Sequence, residues 1–183
     1  MKKTLLSLLL LLPVLFWLPG CDKDPDPKSP QTEEEKLPPP TQEGKMTFGC
    51  LVDGMAWIPK GSLLDPGIQP SYNEITGLWG IYAKKYLSVG LQSVLVSGEG
   101  LQILSLGTYS LTVHESMYSD TTTICPGSPS GLKKYKSING VLEITRLDIS
   151  TGIVSGLFNF DVYSPECQDT VKITKGRFDI KYK

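Results

Sequence analysis

Residues 140–183, GVLEITRLDISTGIVSGLFNFDVYSPECQDTVKITKGRFDIKYK, decide the fold class. Leu142 and Ile144 fall on one face of the segment 140–147, and after a turn at 148–152 the segment 153–163 puts Phe158, Phe160 and Val162 on one face. This two-residue period marks strands with one buried side. Around Lys175-Gly176, the runs 169–174 and 177–183 predict a tight hairpin. Setting Thr174 opposite Arg177 pairs Ile173 with Phe178 and Val171 with Ile180 on the inner face, and Lys172 with Asp179 on the outer. One register satisfies both faces, as a specified hairpin requires.

The same period extends upstream. Phe48, Cys50 and Val52 alternate with Gly49 and Leu51, and Asp53-Gly54 is a strong hairpin signal before Met55 and Trp57, since both turn positions favour positive φ. Val52 then faces Met55, and Cys50 faces Trp57. Residues 61–78 contain two prolines and no sustained period, which predicts a long loop. That loop holds Leu63, Leu64, Ile68 and Tyr72, so it either caps the fold or lines a ligand site. Strands resume from Trp79, breaking near Lys85 and again around 97–100; 101–106 and 108–113 add two more, with Tyr109 and Leu111 inward, and 119–131 reads as loop. The total is about nine or ten short strands without a helical period. The expected fold is all-β, an antiparallel sandwich or barrel.

The first residues follow a different logic. Met1-Lys2-Lys3 precedes an apolar run over 4–18, interrupted by Pro13 and then Pro19-Gly20. A spanning helix needs about 20 apolar residues, so the run predicts a signal peptide over 1–20. Its ending, Leu18-Pro19-Gly20-Cys21, resembles the bacterial lipobox. The resemblance implies cleavage before Cys21 and acylation of that cysteine, which would hold the protein at a membrane without spanning it. Residues 22–45 carry six prolines, seven acids, four lysines and a single sizeable apolar residue, Leu37. Such a composition buries too little apolar surface to offset its ordering entropy. Residues 21–45 are therefore expected to be a disordered tether, with reach from roughly 25–30 Å as a coil to about 75 Å extended, and 46–183 a single domain.

Without residues 1–20 the chain has 16 Lys plus Arg against 19 Asp plus Glu, and 46–183 balances 12 against 12. That is no footprint for nucleic acid, which needs a clustered basic excess. With Cys21 assigned to lipid, three cysteines remain. Cys125 and Cys167 lie in loop-like sequence and Cys50 within an apolar strand, which predicts a Cys125–Cys167 disulfide and a buried free Cys50. Closing a loop of that length stabilises by roughly 4 kcal/mol on the chain-entropy account.

Catalytic chemistry has little to build on. The only histidine is His114, at an expected strand end, and residues 127–131 read Gly-Ser-Pro-Ser-Gly, with proline where a nucleophile elbow has serine. The cysteines and lone histidine do not compose a zinc site, and no calcium loop or phosphate-cradling glycine motif is present. No cofactor is expected. Glu143, Asp148, Asp161 and Asp179 are the carboxylates that a glycosidase reading would have to use, and outward solvated charge accounts for each.

The motifs 47–54 with Trp57-Ile58-Pro59, 153–160 and 171–179 resemble a family of uncharacterised Bacteroidetes-type lipoproteins carrying a domain of unknown function. The resemblance covers 46–183. It implies an outer-membrane lipoprotein, periplasmic or surface-exposed, with a β-rich domain, and it assigns no catalytic or binding residue. Asp22-Lys23-Asp24 is similar to surface-export signals of such lipoproteins, and Asp120-Thr121-Thr122 to an O-glycosylation pattern of those bacteria. The expected function is a non-enzymatic binding or structural module held at the membrane by its lipid, with a protein or glycan partner. The alternative is a lipocalin-like carrier with Trp79, Tyr82 and Tyr72 at a cavity mouth formed with the loop 61–78; a glycan-cleaving enzyme is the third reading.

Overall fold

A computed structural model describes residues 31–111, 116–125, 127 and 133–183. The strands are β1 (Thr47–Val52), β2 (Met55–Trp57), β3 (Ile68–Tyr72), β4 (Leu78–Leu87), β5 (Gly90–Gln102), β6 (Gly107–Ser110), β7 (Ser116–Asp120), β8 (Lys133–Asp148), β9 (Ile153–Ser164) and β10 (Asp169–Lys181). They form one curled antiparallel sheet in the order β2-β1-β10-β9-β8-β7-β5-β4-β3, with β6 alongside β8. The fold class is thus all-β, as the alternation predicts.

Curling brings the two ends of the sheet together over one core. Trp79 of β4 packs on Phe178 of β10, ring centroids 5.2 Å apart, and Tyr72 of β3 packs on Tyr182 at 4.9 Å. The indole Nε1 of Trp57 donates to Gln92 Oε1 on β5 at 3.1 Å. Phe48, Ile81, Val94, Val96, Leu142, Ile144, Phe158, Phe160, Val162 and Ile173 fill the inner face and are buried. β1 and β2 pair with Cys50 opposite Trp57 and Val52 opposite Met55, and Asp53 and Gly54 both take positive φ. The Cys125–Cys167 disulfide is formed, and Cys50 is free and buried; burial pushes the Cys50 thiol well above its ordinary pKa.

The structure corrects the C-terminal hairpin. Residues 169–181 are one continuous strand, paired along its length with β9, and Lys175-Gly176 is a β-bulge. Ile173 pairs with Phe160 and Gly176 with Phe158, so one residue of β9 faces two of β10. An extra residue reverses the alternation. Val171 and Ile173 before it, and Phe178 and Ile180 after it, therefore all point inward and are buried. A two-residue turn reverses the alternation in the same way, which is why the pattern fits both.

Four loop and strand boundaries also move. The stretch 61–78 contains β3, whose Pro70 sits on an outermost strand of the sheet, where a missing N–H is tolerated. The break expected near Lys85 lies at 88–89, between β4 and β5, and β5 runs without interruption to Gln102 through 97–100. β7 was hidden in sequence expected to be strand end and loop.

The largest correction concerns the tether. Residues 31–45 lie on the domain as a strap. Thr32 and Glu35 cap each other reciprocally, Glu35 N donating to Thr32 Oγ1 and Thr32 N to Glu35 Oε2, at the start of a single 3-10 turn, Glu34–Lys36. Leu37 is buried, and Pro38 approaches β1 so closely that a Cβ on Gly49 would lie 2.7 Å from its Cδ. Beyond the prolines, the strap is clamped by Asp179, which is fully buried. Its carboxylate accepts hydrogen bonds from Thr41 Oγ1 (2.6 Å), Glu43 N (2.9 Å), Gly44 N (2.7 Å), Lys45 N (3.1 Å) and Ser155 Oγ (2.7 Å). Burial by itself raises the Asp179 pKa, but these donors overcome it and hold the carboxyl down at about 2.

Candidate functional site

Strand alternation places Ile81, Ala83, Val94, Val96, Tyr118 and Tyr135 in the core. It therefore turns the intervening residues of β4, β5, β7 and β8 outward, in two cross-strand rows. Tyr82, Leu95, Met117 and Lys136 make one row; Lys84, Ser93, Ser119 and Lys134 make the next. Because serine is short and its neighbours are long, the surface sinks into a groove of about 320 Å³ lined by Tyr82, Ser93, Leu95, Met117, Ser119 and Lys134.

The groove is apolar on one side and hydroxylated on the other. Leu95, Met117 and the Tyr82 ring supply the apolar part, and Met117 adds an adaptable thioether surface. Ser93 and Ser119 share a hydrogen bond of 2.7 Å. Lys84 Nζ stands 5.0 Å from the Tyr82 ring centroid and donates to Asp65 Oδ2 at 2.5 Å. That bond to Asp65 raises the Lys84 pKa, so its amine stays protonated and accepts no proton from the serines. The groove thus sets apolar side chains beside a hydroxyl pair, with Lys134 opposite Ser119 across the strands.

The three sequence-predicted ligand residues do not converge on one site: Tyr72 and Trp79 are cross-strand partners on the core side, and Tyr82 faces outward. Trp79 is core, 4% exposed, and on the face opposite to Tyr82. Tyr72 donates its hydroxyl to Ile103 O at 2.9 Å and stacks on Tyr182. Only Tyr82 lines the groove. Strand parity thus keeps Tyr82 from sharing a cavity mouth with Trp79 and Tyr72. Leu95, Met117, Ser93 and Ser119 come together only through β7, a short strand of low contrast between β5 and β8. Apolar residues at outward positions 95 and 117 were the signal.

Other polar groups are already committed. Asp120 Oδ2 accepts from Gln92 at 3.1 Å, its Oδ1 from Thr122, and Tyr135 OH donates to Asp169 at 3.1 Å. Burial, then Asp169, raises the Tyr135 pKa to about 12. Thr121 Oγ1 in the glycosylation-like triplet donates to Leu91 O and accepts from Leu91 N. Asp148 is held below the ordinary carboxylate range by Ser150, Thr151 and Arg146, while Glu143 lines a second groove of about 390 Å³ between the strap and the sheet. In that groove Glu34 is paired with Lys175 and Arg177. Among the described residues no three His, Cys, Asp or Glu side chains stand together as metal ligands. Cys21 and His114 lie outside the described residues.

Compared with family models, with curated proteins and with solved structures, the chain matches none.

Proposed function

We propose that the chain is a lipid-anchored, non-enzymatic binding module of the bacterial cell envelope, an outer-membrane lipoprotein facing the periplasm or the cell surface. Cys21 carries the lipid, and the groove at Tyr82, Leu95 and Met117 holds the apolar part of a protein or glycan partner. The observation that carries the binding reading is the set of outward apolar side chains on strands whose inward positions already fill the core. Aromatic and methionine side chains around a small recess are what partner-binding surfaces concentrate. The lipobox-like Leu18-Pro19-Gly20-Cys21 and the resemblance to surface lipoproteins support the address.

Affinity capture from surface-labelled cells tests this reading. The wild-type chain is compared with Cys21→Ala and with Met117→Glu. Met117→Glu, which puts a charge in the groove, is expected to reduce partner recovery at least about tenfold, since a desolvated contact at an interface centre is worth 2 kcal/mol or more. Equal recovery by the Met117→Glu chain would overturn the groove assignment. Membrane retention of the Cys21→Ala chain would overturn the anchor.

A further inference from the structure

The turn between β2 and β3 is built in an unusual way: its backbone is well hydrogen-bonded, and its two largest apolar side chains touch almost nothing. Leu63 is 98% exposed and Leu64 95%. Yet the backbone around them is fixed. Lys60 N donates to Lys84 O (3.0 Å), Tyr86 N to Lys60 O (2.9 Å) and Ser62 N to Asp65 O (2.8 Å). The Asp65 carboxylate accepts from Lys84 Nζ (2.5 Å), Gly67 N (2.8 Å) and Tyr86 OH (3.0 Å). Gly67, at φ +81°, lies so close to Gly61 that a Cβ there would stand 2.7 Å from the Gly61 nitrogen. Val89, Met55 and Ile58 extend the exposed apolar surface from neighbouring turns and from β2, and Lys60 is exposed beside them.

We infer that this end of the sheet seats on the lipid bilayer, with Leu63 and Leu64 in the interfacial region and Lys60 at the headgroups. The inference rests on the anchored reading above, and the course of the chain selects the end. The opposite end also exposes Ile75, Leu104 and Leu106, so exposure alone does not decide. The strap arrives on the domain at β2, where Glu33 Oε2 accepts from Ala56 N at 2.8 Å, beside Met55 and on the strand that leads into the Leu63-Leu64 turn. Only nine residues, 22–30, lie between Cys21 and Gln31, ten residue steps in all. They span roughly 16–19 Å as a coil and at most about 35 Å extended. The Ile75 end lies a further β4 length away, roughly 30 Å. A lipid at Cys21 therefore brings the Leu63-Leu64 turn to the bilayer with a coil-length connection, whereas the Ile75 end would require that connection to be almost fully extended, and two leucines with an adjacent lysine match the apolar and headgroup layers that an interfacial contact spans.

The test uses the mature lipidated chain in vesicles of phosphatidylethanolamine and phosphatidylglycerol, with and without brominated acyl chains. Native Trp57 and Trp79 are buried away from the lipid, so once the wild-type emission is subtracted the remaining signal of a tryptophan introduced at an exposed position reports its own surroundings. Leu64→Trp is expected to be quenched about twofold by the brominated lipid, at the depth of an interfacial side chain, while Ile75→Trp is not. Both positions are more than 90% exposed, so the fold tolerates either change. Quenching of Ile75→Trp instead, or of neither, overturns the orientation; a surface reserved for a protein partner gives the latter result. Flotation with the vesicles is read separately. If the wild-type chain floats and Cys21→Ala does not, the anchor stands whatever the quenching shows.

Discussion

The strap at 31–45 and the turn at 60–67 have opposite relations to their composition. The strap is rich in proline and charge, yet it lies against the sheet and its Leu37 is buried. The turn holds two adjacent leucines, yet both are bare to solvent. Hydropathy assigns each to the wrong place. What holds the strap is a set of donors converging on one buried carboxylate, and what holds the turn out is a polar network at Asp65 beneath it. In both, a single aspartate gathers the donors: three backbone N–H groups with two hydroxyls at Asp179, and Gly67 N with the Lys84 and Tyr86 side chains at Asp65.

Breaking the first clamp is expected to have the largest effect. Asp179→Asn keeps the volume but turns an NH2 toward donors, and should lower unfolding free energy by about 3 kcal/mol, measured by urea denaturation. An unchanged midpoint would mean that the strap adds nothing. Acid probes the same clamp without mutation. Because the folded Asp179 pKa, about 2, lies below the usual 3.8, its contribution is fully present above about pH 4 and is lost as pH falls through 2. That loss should amount to roughly 2 to 3 kcal/mol, and it should vanish from the pH profile of Asp179→Asn. Leu37→Ala removes the only sizeable apolar side chain of the strap and should cost about 2 kcal/mol, near the low end for a buried leucine. At the other region, Leu63→Ser with Leu64→Ser should change stability by less than about 0.5 kcal/mol. A larger loss would show that the leucines serve the fold after all.

The sequence discloses the strands with high contrast, inward Phe158, Phe160 and Val162 above all, because a filled core enforces strict alternation. It discloses the Asp53-Gly54 hairpin and the cysteine pairing for local reasons of φ and of position. It hides the bulge at Lys175-Gly176, since a bulge and a two-residue turn shift parity identically, and only the unbroken pairing with β9 separates them. Most of the candidate groove was hidden for a related reason. It depends on β7 lying between β5 and β8, a long-range pairing that five residues with little contrast do not announce. The strap was hidden most deeply, because its partner Asp179 lies more than 130 residues away in sequence.

The strap's attachment to the domain shortens the connection to Cys21, and the proposed orientation toward lipid rests on it. Amide hydrogen exchange of the mature chain measures it directly. The Glu43, Gly44 and Lys45 amides are expected to exchange as slowly as those of β10, and to lose that protection in Asp179→Asn. Exchange of these three amides at free-peptide rates in the wild-type chain would contradict it.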